Sequence, residues 1–204
     1  MKRLYLVRHG ETEWNAGNKV QGSIDIPLSE KGRAQAKLLA GYLKNLPRPQ
    51  KIFSSTLSRA QETAEIIAGA LELENPEANP LLREIDCGEW EGRTFDELLR
   101  EYPKEYAMWR MSSSYKCPGG ESVEDVRERI TRFFLEAGAA LPETVLMVTH
   151  GLFNRAMLSF IMDLPLQQCR HFEQDNGALN VFIWGHVMPH LAAWNFTPEP
   201  AEGR

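Results

Sequence analysis

Residues 4–15 read LYLVRHGETEWN, a run of apolar residues that leads directly into Arg8 and His9. The apolar run is typical of a strand that is buried on both faces. In open α/β sheets, ligands bind in the crevice beyond the carboxyl ends of the strands. We therefore expect this strand to bring an arginine and a histidine to a functional site. For the pair taken alone, a surface turn is the alternative.

Composition indicates a folded protein with no extended anionic partner. The chain has 204 residues, of which 43% are hydrophobic and 25% charged, as in ordinary globular proteins. Its formal net charge of −5 argues against a nucleic-acid partner or a membrane surface, because those partners need clustered Lys and Arg. Any anion-binding site is therefore expected to be local.

The cysteines and the N-terminus favour a cytoplasmic location. Cys87, Cys117 and Cys169 are odd in number and widely spaced, which fits free thiols in a reducing compartment better than a disulfide framework. The first residues lack the apolar region and cleavage site of a signal peptide. No apolar stretch has the length that a bilayer span requires.

Strand and helix patterns alternate along the chain. Strands are predicted at 2–8, 51–55 and 144–149, helices at 30–46, 57–70, 121–141 and 151–163, and a terminal hairpin at 179–184 and 190–195. This alternation predicts a three-layer α/β/α sandwich with a mainly parallel central sheet. We assign residues 1–204 to one such domain.

The segment from about 75 to 120 interrupts this pattern. Its prolines and glycines separate two short predicted helices, near 94–101 and 103–112. Long excursions from an α/β core commonly carry binding or lid residues, so we predict a small helical capping insertion, with disordered decoration as the alternative. The candidates to face the pocket are Tyr102, Trp109, Arg110, Tyr115 and Lys116.

Charged and imidazole side chains recur at equivalent places. Arg8 and His9 end the first strand, Arg59 opens the helix after the second, and His150 ends a later strand. Two guanidiniums and two imidazoles at one rim, with helix N-termini behind them, predict a pocket for a tetrahedral dianion such as phosphate. Taken singly, Arg59 also fits a surface salt bridge and His150 a core position.

Cleavage of a phosphate monoester also needs a proton donor for the departing oxygen. Glu84 is the candidate, since it opens the irregular segment after apolar Leu81 and Leu82 and precedes a loop that is expected to close over the site. An exposed carboxylate in an acidic loop is the alternative.

The chain resembles the histidine phosphatase superfamily, in its phosphoglycerate mutase-like branch, which also contains α-ribazole phosphatase and broad-specificity phosphatases. The resemblance rests on LVRHGET with Asn15, on 55–63, on Glu84 with GxWEG at 88–92, on PGGES at 118–122 and on THG at 149–151. It spans nearly the whole chain, and the first motif is highly specific.

The resemblance implies a role for each site residue. His9 would be the nucleophile that forms a phosphohistidine, and Glu84 the proton donor. Arg8, Arg59 and His150 would hold the phosphoryl group, helped by Asn15, Gln21, Gly22 and the Leu152 amide. No metal and no cofactor is implied. Because neighbouring guanidiniums disfavour a second cation, we expect them to lower the pKa of His9 and keep its ring neutral.

Three other readings compete with this one. Cys87 and Arg93 have the C-x5-R spacing of thiolate phosphatases, although Glu89 and Glu91 would repel a phosphate from that loop. His9, His150 and Glu84 could ligate a metal, although Arg8 and Arg59 would repel the cation. A binding module for phosphorylated ligands would keep the pocket but would not need an acid.

Within the family, the choice lies between phosphatase and mutase. Mutases continue the second histidine motif as His-Gly-Asn-Ser and carry a longer basic insertion, whereas this chain has His-Gly-Leu-Phe at 150–153 and the shorter form of 84–96. We therefore expect hydrolysis, with phosphoglycerate mutase as the alternative. The substrate is expected to be a small phosphate monoester, with α-ribazole phosphate, phosphoserine and phosphoglycerate among the possibilities. The oligomeric state is not predicted.

Overall fold

The apolar run of residues 4–7 forms an inner strand of a six-stranded mixed sheet. The computed structural model describes residues 1–185 and 188–199, so residues 186–187 and 200–204 of the predicted domain lie outside the described part. The strands are β1 (Arg3–Arg8), β2 (Lys51–Ser54), β3 (Glu77–Ala78), β4 (Thr144–Thr149), β5 (Leu179–Trp184) and β6 (Pro189–Phe196).

Seven α-helices lie between or beside these strands in the described chain. They are α1 (Glu13–Ala16), α2 (Glu30–Leu43), α3 (Ser58–Ala70), α4 (Phe95–Glu101), α5 (Pro103–Met111), α6 (Val123–Ala137) and α7 (Gly151–Ile161). Short 3-10 turns lie at Pro80–Leu82, Gly88–Trp90, Gly138–Ala140 and Leu166–His171. Among the described residues, no helix is both long and apolar enough to cross a bilayer.

The strand order across the sheet is β3-β2-β4-β1-β5-β6. The first four strands are parallel, β5 is antiparallel to β1, and β6 is antiparallel to β5. The predicted hairpin therefore closes one edge of a mainly parallel sheet. The candidate residues were expected in the crevice beyond the carboxyl ends of β1, β2 and β4, and these three strands lie side by side in the sheet.

Successive side chains of β1 pack on opposite faces of the sheet. Leu4 and Leu6 belong to an apolar cluster with α6 and α7, whereas Tyr5 and Val7 belong to a second cluster with α2 and α3. Successive side chains of a strand point to opposite faces, so a strand buried on both sides needs the continuous apolar run observed here. The predicted three-layer α/β/α sandwich is confirmed.

Segment 75–120 was predicted to be a helical capping insertion, but its first part belongs to the sheet. The two residues of β3 pair in parallel with β2, so this part extends the sheet and does not cap it. The predicted short helices are present as α4 and α5. Sequence reasoning also missed α1, which has a capping box between Thr12 and Asn15. The predicted helix ran to residue 141, whereas α6 ends at Ala137 and a 3-10 turn follows at Gly138–Ala140.

Two glycines allow the loop after β1 to contact α2. A Cβ at Gly10 would lie 2.3 Å from the Gly32 carbonyl oxygen, and one at Gly32 would lie 2.1 Å from the Glu11 carbonyl oxygen. No real Cβ approaches backbone so closely. The position of the loop that begins with His9 therefore depends on the lack of side chains at both glycines.

We predict opposite effects for two glycine substitutions in α2. Gly32→Ala should lower the free energy of unfolding by about 1–3 kcal/mol, because the new methyl group pushes the loop away from the helix. Gly41→Ala, with no atom within 4 Å of its added Cβ, should raise the free energy by about 0.5–1 kcal/mol through helix propensity. Urea denaturation of both variants measures the difference. Equal effects would contradict this account of the glycine contact.

Candidate active site

The register between two parallel strands places the two candidate histidines side by side. Arg8 of β1 is opposite Thr149 of β4, and the His9 amide donates to the Thr149 carbonyl at 3.0 Å. A histidine directly follows the last residue of each strand, so the rings of His9 and His150 lie side by side with centroids 5.1 Å apart. Both histidines are buried.

A backbone contact fixes the tautomer of His9. Its Nδ1 lies 2.7 Å from the Gly10 carbonyl oxygen, and because a carbonyl oxygen can only accept, Nδ1 must carry a hydrogen. In the neutral ring Nε2 then keeps its lone pair. Burial lowers the pKa of His9 well below its ordinary value, and the Arg59 and Arg8 guanidiniums lower it further. The expected direction is thus present, but burial is the larger cause.

His150 lacks the partners that a core histidine usually has. Neither of its buried ring nitrogens has a hydrogen-bond partner among the described residues. Burial lowers the pKa of His150 well below its ordinary value, with Arg59, His9 and Arg8 adding to the shift. The ring is therefore neutral near pH 7, with one N–H to donate and one bare nitrogen.

Arg59 is a buried cation and Arg8 a half-buried one, and backbone carbonyls hold both. Arg8 Nη1 donates to the Gln174 carbonyl, and the two Nη atoms of Arg59 donate to the Ile24 and Gly22 carbonyls at 2.7 and 2.8 Å. Burial lowers the pKa of each guanidinium to about 10. Both arginines therefore keep their charge at neutral pH. The Nε atoms of both are buried without a partner in the described chain.

Glu84 lies at the N-terminus of α7. Its carboxylate accepts from the Leu152 and Phe153 amides at 3.1 and 3.0 Å, and from its own neighbour Ile85 at 3.1 Å. An anion at this position is favoured by the helix dipole and by amides that have no partner within the helix. The Leu152 amide, expected to bind the phosphoryl group, thus donates to Glu84 here. A phosphoryl oxygen would compete with the carboxylate for it.

Arg129 of α6, which sequence reasoning missed, holds the backbone on which Glu84 lies. Its guanidinium donates to the carbonyls of Leu81, Arg83 and Glu84 at 3.0, 2.8 and 3.3 Å. The same guanidinium makes a two-point ion pair with Glu121, at 3.1 and 3.0 Å. Arg129 therefore determines where the Glu84 side chain begins.

The three remaining predicted helpers also lie at the site. Asn15 Oδ1 accepts from Asn176 Nδ2 at 3.0 Å, and Gln21 Oε1 lies 3.0 Å from Thr12 Oγ1. Their amide oxygens are thus occupied, which leaves the NH₂ groups as donors. Gly22 has a φ of +54°, and its carbonyl accepts a hydrogen bond from Arg59. Gly22 therefore acts on the site by positioning Arg59, a role that the sequence did not predict.

Most of these residues surround one cavity of about 320 Å³. Arg8, His9, Asn15, Gln21, Gly22, Arg59, Glu84 and Leu152 all line it. His150, predicted to hold the phosphoryl group, is not among the residues that line this cavity, although its ring lies beside that of His9. Trp109 and Arg110 of α5 also line the cavity, whereas the other candidates from the insertion, Tyr102, Tyr115 and Lys116, do not. Sequence reasoning missed Trp90, Tyr106, Arg155 and Arg170. Only Arg155 carried a usable signal, because it follows Gly151 by four residues and shares its helix face.

The environment of Cys87 does not support the thiolate alternative. The Cys87 amide donates to Glu91 Oε1 at 3.1 Å, so a carboxylate occupies the place where a phosphate cradle would lie. A hydrogen bond with Cys117 and burial raise the pKa of the Cys87 thiol well above its ordinary value. All three cysteines are free and buried. No cluster of three or more His, Cys, Asp or Glu suited to a metal ion occurs within the described ranges.

Fold and site together define an α/β protein with a cationic cavity around a neutral histidine. The model of the histidine phosphatase superfamily (branch 1) matches residues 4–197. The chain therefore belongs to this family, as its motifs predicted.

Individual relatives include phosphatases and a mutase-like protein. Phosphoserine phosphatase 1 of Hydrogenobacter thermophilus is 36% identical over 183 residues, which are 89% of this chain and 86% of that protein. "Probable phosphoglycerate mutase GpmB" of Photorhabdus laumondii is 36% identical over 95% of this chain and 89% of its own. The solved structure of mycobacterial glucosyl-3-phosphoglycerate phosphatase has a TM-score of 0.87 and 31% identity, with 96% and 99% of the two chains covered.

The two buried histidines predict a pH-dependent stability. Below about pH 6.5 the unfolded chain takes up a proton at each histidine, whereas the folded rings stay neutral. The free energy of unfolding should therefore fall as the pH falls below 6.5, by up to about 1.4 kcal/mol per pH unit for each histidine. His150→Gln should remove about half of this slope. Urea denaturation between pH 5 and 7.5 tests it, and identical slopes for wild type and variant would be evidence against buried neutral rings.

Arg129 should control the order of the Glu84 carboxylate. Arg129→Gln is expected to speed hydrogen exchange of the Leu152 and Phe153 amides about five- to tenfold, because their acceptor loses its fixed backbone. Arg132→Gln is the matched control, since Arg132 lies on the same helix but pairs with exposed Glu136. Amide exchange followed by NMR measures both variants. Equal exchange rates in the two would show that Arg129 does not position Glu84.

Proposed function

We propose that this protein is a phosphatase that hydrolyses a small phosphate monoester through a phosphohistidine on His9. One observation carries the proposal: His9 presents a bare Nε2 in a cavity that the charged side chains of Arg8 and Arg59 also line. Bidentate guanidiniums suit phosphoryl oxygens. Because Nε2 of the neutral His9 ring carries no proton, its lone pair can attack a phosphorus atom held beside the two arginines.

In the first half of the reaction, His9 Nε2 attacks phosphorus in line. The P–N bond forms while the ester P–O bond breaks, and the departing oxygen takes a proton from the Glu84 carboxyl group. Arg8, Arg59 and His150 stabilise the charge on the three equatorial phosphoryl oxygens, where positioning and electrostatics supply most of the catalysis. The Asn15 and Gln21 NH₂ groups add neutral donors.

In the second half, water replaces the alcohol that has left. Glu84, now a carboxylate, takes a proton from this water as its oxygen attacks phosphorus, the P–N bond breaks, and inorganic phosphate leaves. Glu84 thus regains the proton that it gave up in the first half, and His9 returns to its neutral form. Glu84 takes up this proton when the substrate binds and loses it when inorganic phosphate leaves, so that it is again a carboxylate in the free protein. A single carboxyl group serves both halves because the departing and the attacking oxygen occupy the same side of phosphorus.

We propose hydrolysis rather than the mutase reaction, in which a phosphoryl group moves between two positions of a substrate. The residues that follow His150 are Gly-Leu-Phe, and the segment 84–96 is short, whereas mutases of this family carry His-Gly-Asn-Ser and a longer basic insertion. Relatives with both kinds of name match the chain, so mutase activity is the second candidate.

We propose that the reaction needs no metal and takes place in the cytoplasm. Arg8 and Arg59 supply the positive charge that a metal would otherwise provide, and they would repel a divalent cation. The cavity volume of about 320 Å³ is at the small end of ligand pockets and suits a small monoester. Three free, buried thiols are consistent with a reducing compartment.

Turnover of p-nitrophenyl phosphate in EDTA tests this proposal. Wild type should release phosphate, and His9→Ala should lose at least about 1,000-fold in kcat/KM, because the covalent route is gone. Arg132→Gln, remote from the cavity, should match wild type. Phosphate release by malachite green measures all three proteins.

Two outcomes would contradict the proposal. If EDTA abolishes activity and a divalent ion restores it, the reaction depends on a metal. If wild type releases no phosphate from any monoester but interconverts 2- and 3-phosphoglycerate, the protein is a mutase.

A further inference from the structure

A loop before β5 holds the side chain of Arg8 and the backbone of His9. The Gln174 carbonyl accepts from Arg8 Nη1, and the Gly177 amide donates to the His9 carbonyl at 3.0 Å. Residues 174–178, here called the Arg8 loop, belong to no helix or strand. The Arg8 loop therefore depends on side-chain hydrogen bonds for a fixed conformation.

Three residues with amide side chains, Gln174, Asn180 and Asn195, form a closed ring of hydrogen bonds at this loop. Asn180 Nδ2 donates to Gln174 Oε1 at 2.8 Å, and Gln174 Nε2 donates to Asn195 Oδ1 at 3.2 Å. The Asn195 backbone amide closes the ring by donating to Asn180 Oδ1 at 2.8 Å. Asn180 Nδ2 also donates to the Leu6 carbonyl of β1 at 2.9 Å, which ties the ring to the sheet. We call these three residues the amide triad.

Two members of the amide triad, Gln174 and Asn180, are buried. A buried polar group that loses its partner bears the full cost of its removal from water. Because each member of the triad is a partner of the other two, removal of one side chain disturbs the whole set.

Asn195 lies at a bulge in β6. Leu179 of β5 pairs with Phe196, and Val181 pairs with Ala193, so β6 has one residue more than β5 in this interval. Asn195 has a φ of +55°, a left-handed conformation that is uncommon for residues other than glycine and that asparagine tolerates. A bulge of this kind changes the direction of a side chain, and here the Asn195 side chain contacts the Arg8 loop.

The Asn195 side chain binds two residues of the loop that both act on Arg8. Its Oδ1 accepts from the Asp175 amide at 2.6 Å as well as from Gln174 Nε2, and its Nδ2 donates to the Asp175 carboxylate at 2.9 Å. Gln174 holds Arg8 through its carbonyl. Burial lowers the pKa of Arg8, and the negative charge of Asp175 is among the influences that oppose this shift. One side chain on an edge strand thus fixes both the acceptor and a counter-charge of Arg8.

We propose that Asn195 is a positioning residue, which fixes the Arg8 loop through the amide triad and thereby holds the Arg8 guanidinium in place for a phosphoryl group. The catalytic consequence rests on the proposed function, whereas the effect on the Arg8 side chain does not. Without the Asn195 side chain, the Asp175 amide and Gln174 Nε2 lose their acceptor, and the loop rearranges. A displacement of about 1 Å in a group that positions the substrate can cost about 100-fold in rate.

Asn195→Gly removes the side chain without straining the backbone, because glycine adopts a φ of +55° freely. The variant should lower kcat/KM for p-nitrophenyl phosphate about 10- to 100-fold and raise the calorimetric Kd for inorganic phosphate about 5- to 20-fold. A third measurement is direct. In proton–nitrogen NMR of wild type, the Arg8 Nη1 signal should be distinct because of its bond to the Gln174 carbonyl, and in the variant it should merge with the other guanidinium signals.

Leu191→Ala is the matched control for damage to the hairpin. Leu191 lies on β6 and packs against the apolar cluster that contains Leu4 and Leu6. This variant should lose stability and yet keep the wild-type kcat/KM, phosphate Kd and Arg8 signal. If Leu191→Ala changes all three as much as Asn195→Gly does, Asn195 has only a structural role and the proposal is overturned.

An exchange of the two partners provides a rescue that a general loss of stability would not show. Asn195→Asp alone places a carboxylate against that of Asp175 and should lower kcat/KM about tenfold or more. Combined with Asp175→Asn, it restores the hydrogen bond with donor and acceptor reversed, so kcat/KM should return to within about threefold of wild type. A double variant no more active than Asn195→Asp would contradict the proposal, and this comparison also decides the question if Asn195→Gly does not fold.

The NMR signal separates this inference from the proposed function. If wild type hydrolyses no monoester, loss of the distinct Arg8 signal in Asn195→Gly but not in Leu191→Ala still supports positioning by Asn195. If wild type is an active phosphatase and the Arg8 signal is the same in wild type and Asn195→Gly, the proposed function stands and the positioning role is refuted.

Discussion

The parallel pairing of β1 with β4 is the interaction on which the site depends. Because Arg8 is opposite Thr149, the residues that leave the two strands are His9 and His150, and their rings meet at the sheet rim. A shift of one residue would send the side chains of β1 to the wrong faces and separate the histidines. The two apolar clusters that cover the sheet therefore fix the register and, through it, the geometry of the candidate site.

Burial of positive charge is the second constraint. Isolated charges are costly to remove from water, so Arg8 and Arg59 are tied to backbone carbonyls and the two histidines stay neutral. Glu84 provides the nearby negative charge, held at the N-terminus of α7 by two amides and on a backbone that Arg129 clamps. The same cations would attract the phosphate dianion of the proposed substrate.

The parts of the molecule that follow local rules were predictable from the sequence. Continuous apolar runs gave the inner strands, and the polar residues at their ends gave Arg8, His9 and His150. The two-residue strand β3 was missed because its residues, Glu77 and Ala78, are exposed and carry no apolar pattern. Arg129 and Arg170 were missed for a different reason: the backbone carbonyls that they contact are 45 or more residues away in the chain, and only the fold brings them together.

The most direct test of the account is to locate the phosphoryl group in the reaction intermediate. Wild type mixed with p-nitrophenyl phosphate would be quenched in alkali within milliseconds, digested and mapped by mass spectrometry, with the phosphohistidine isomer assigned by NMR. The account predicts phosphate on Nε2 of His9, because Nδ1 is committed to the Gly10 carbonyl. Phosphate on His150 or Cys87, or rapid hydrolysis without any phosphorylated enzyme, would contradict it.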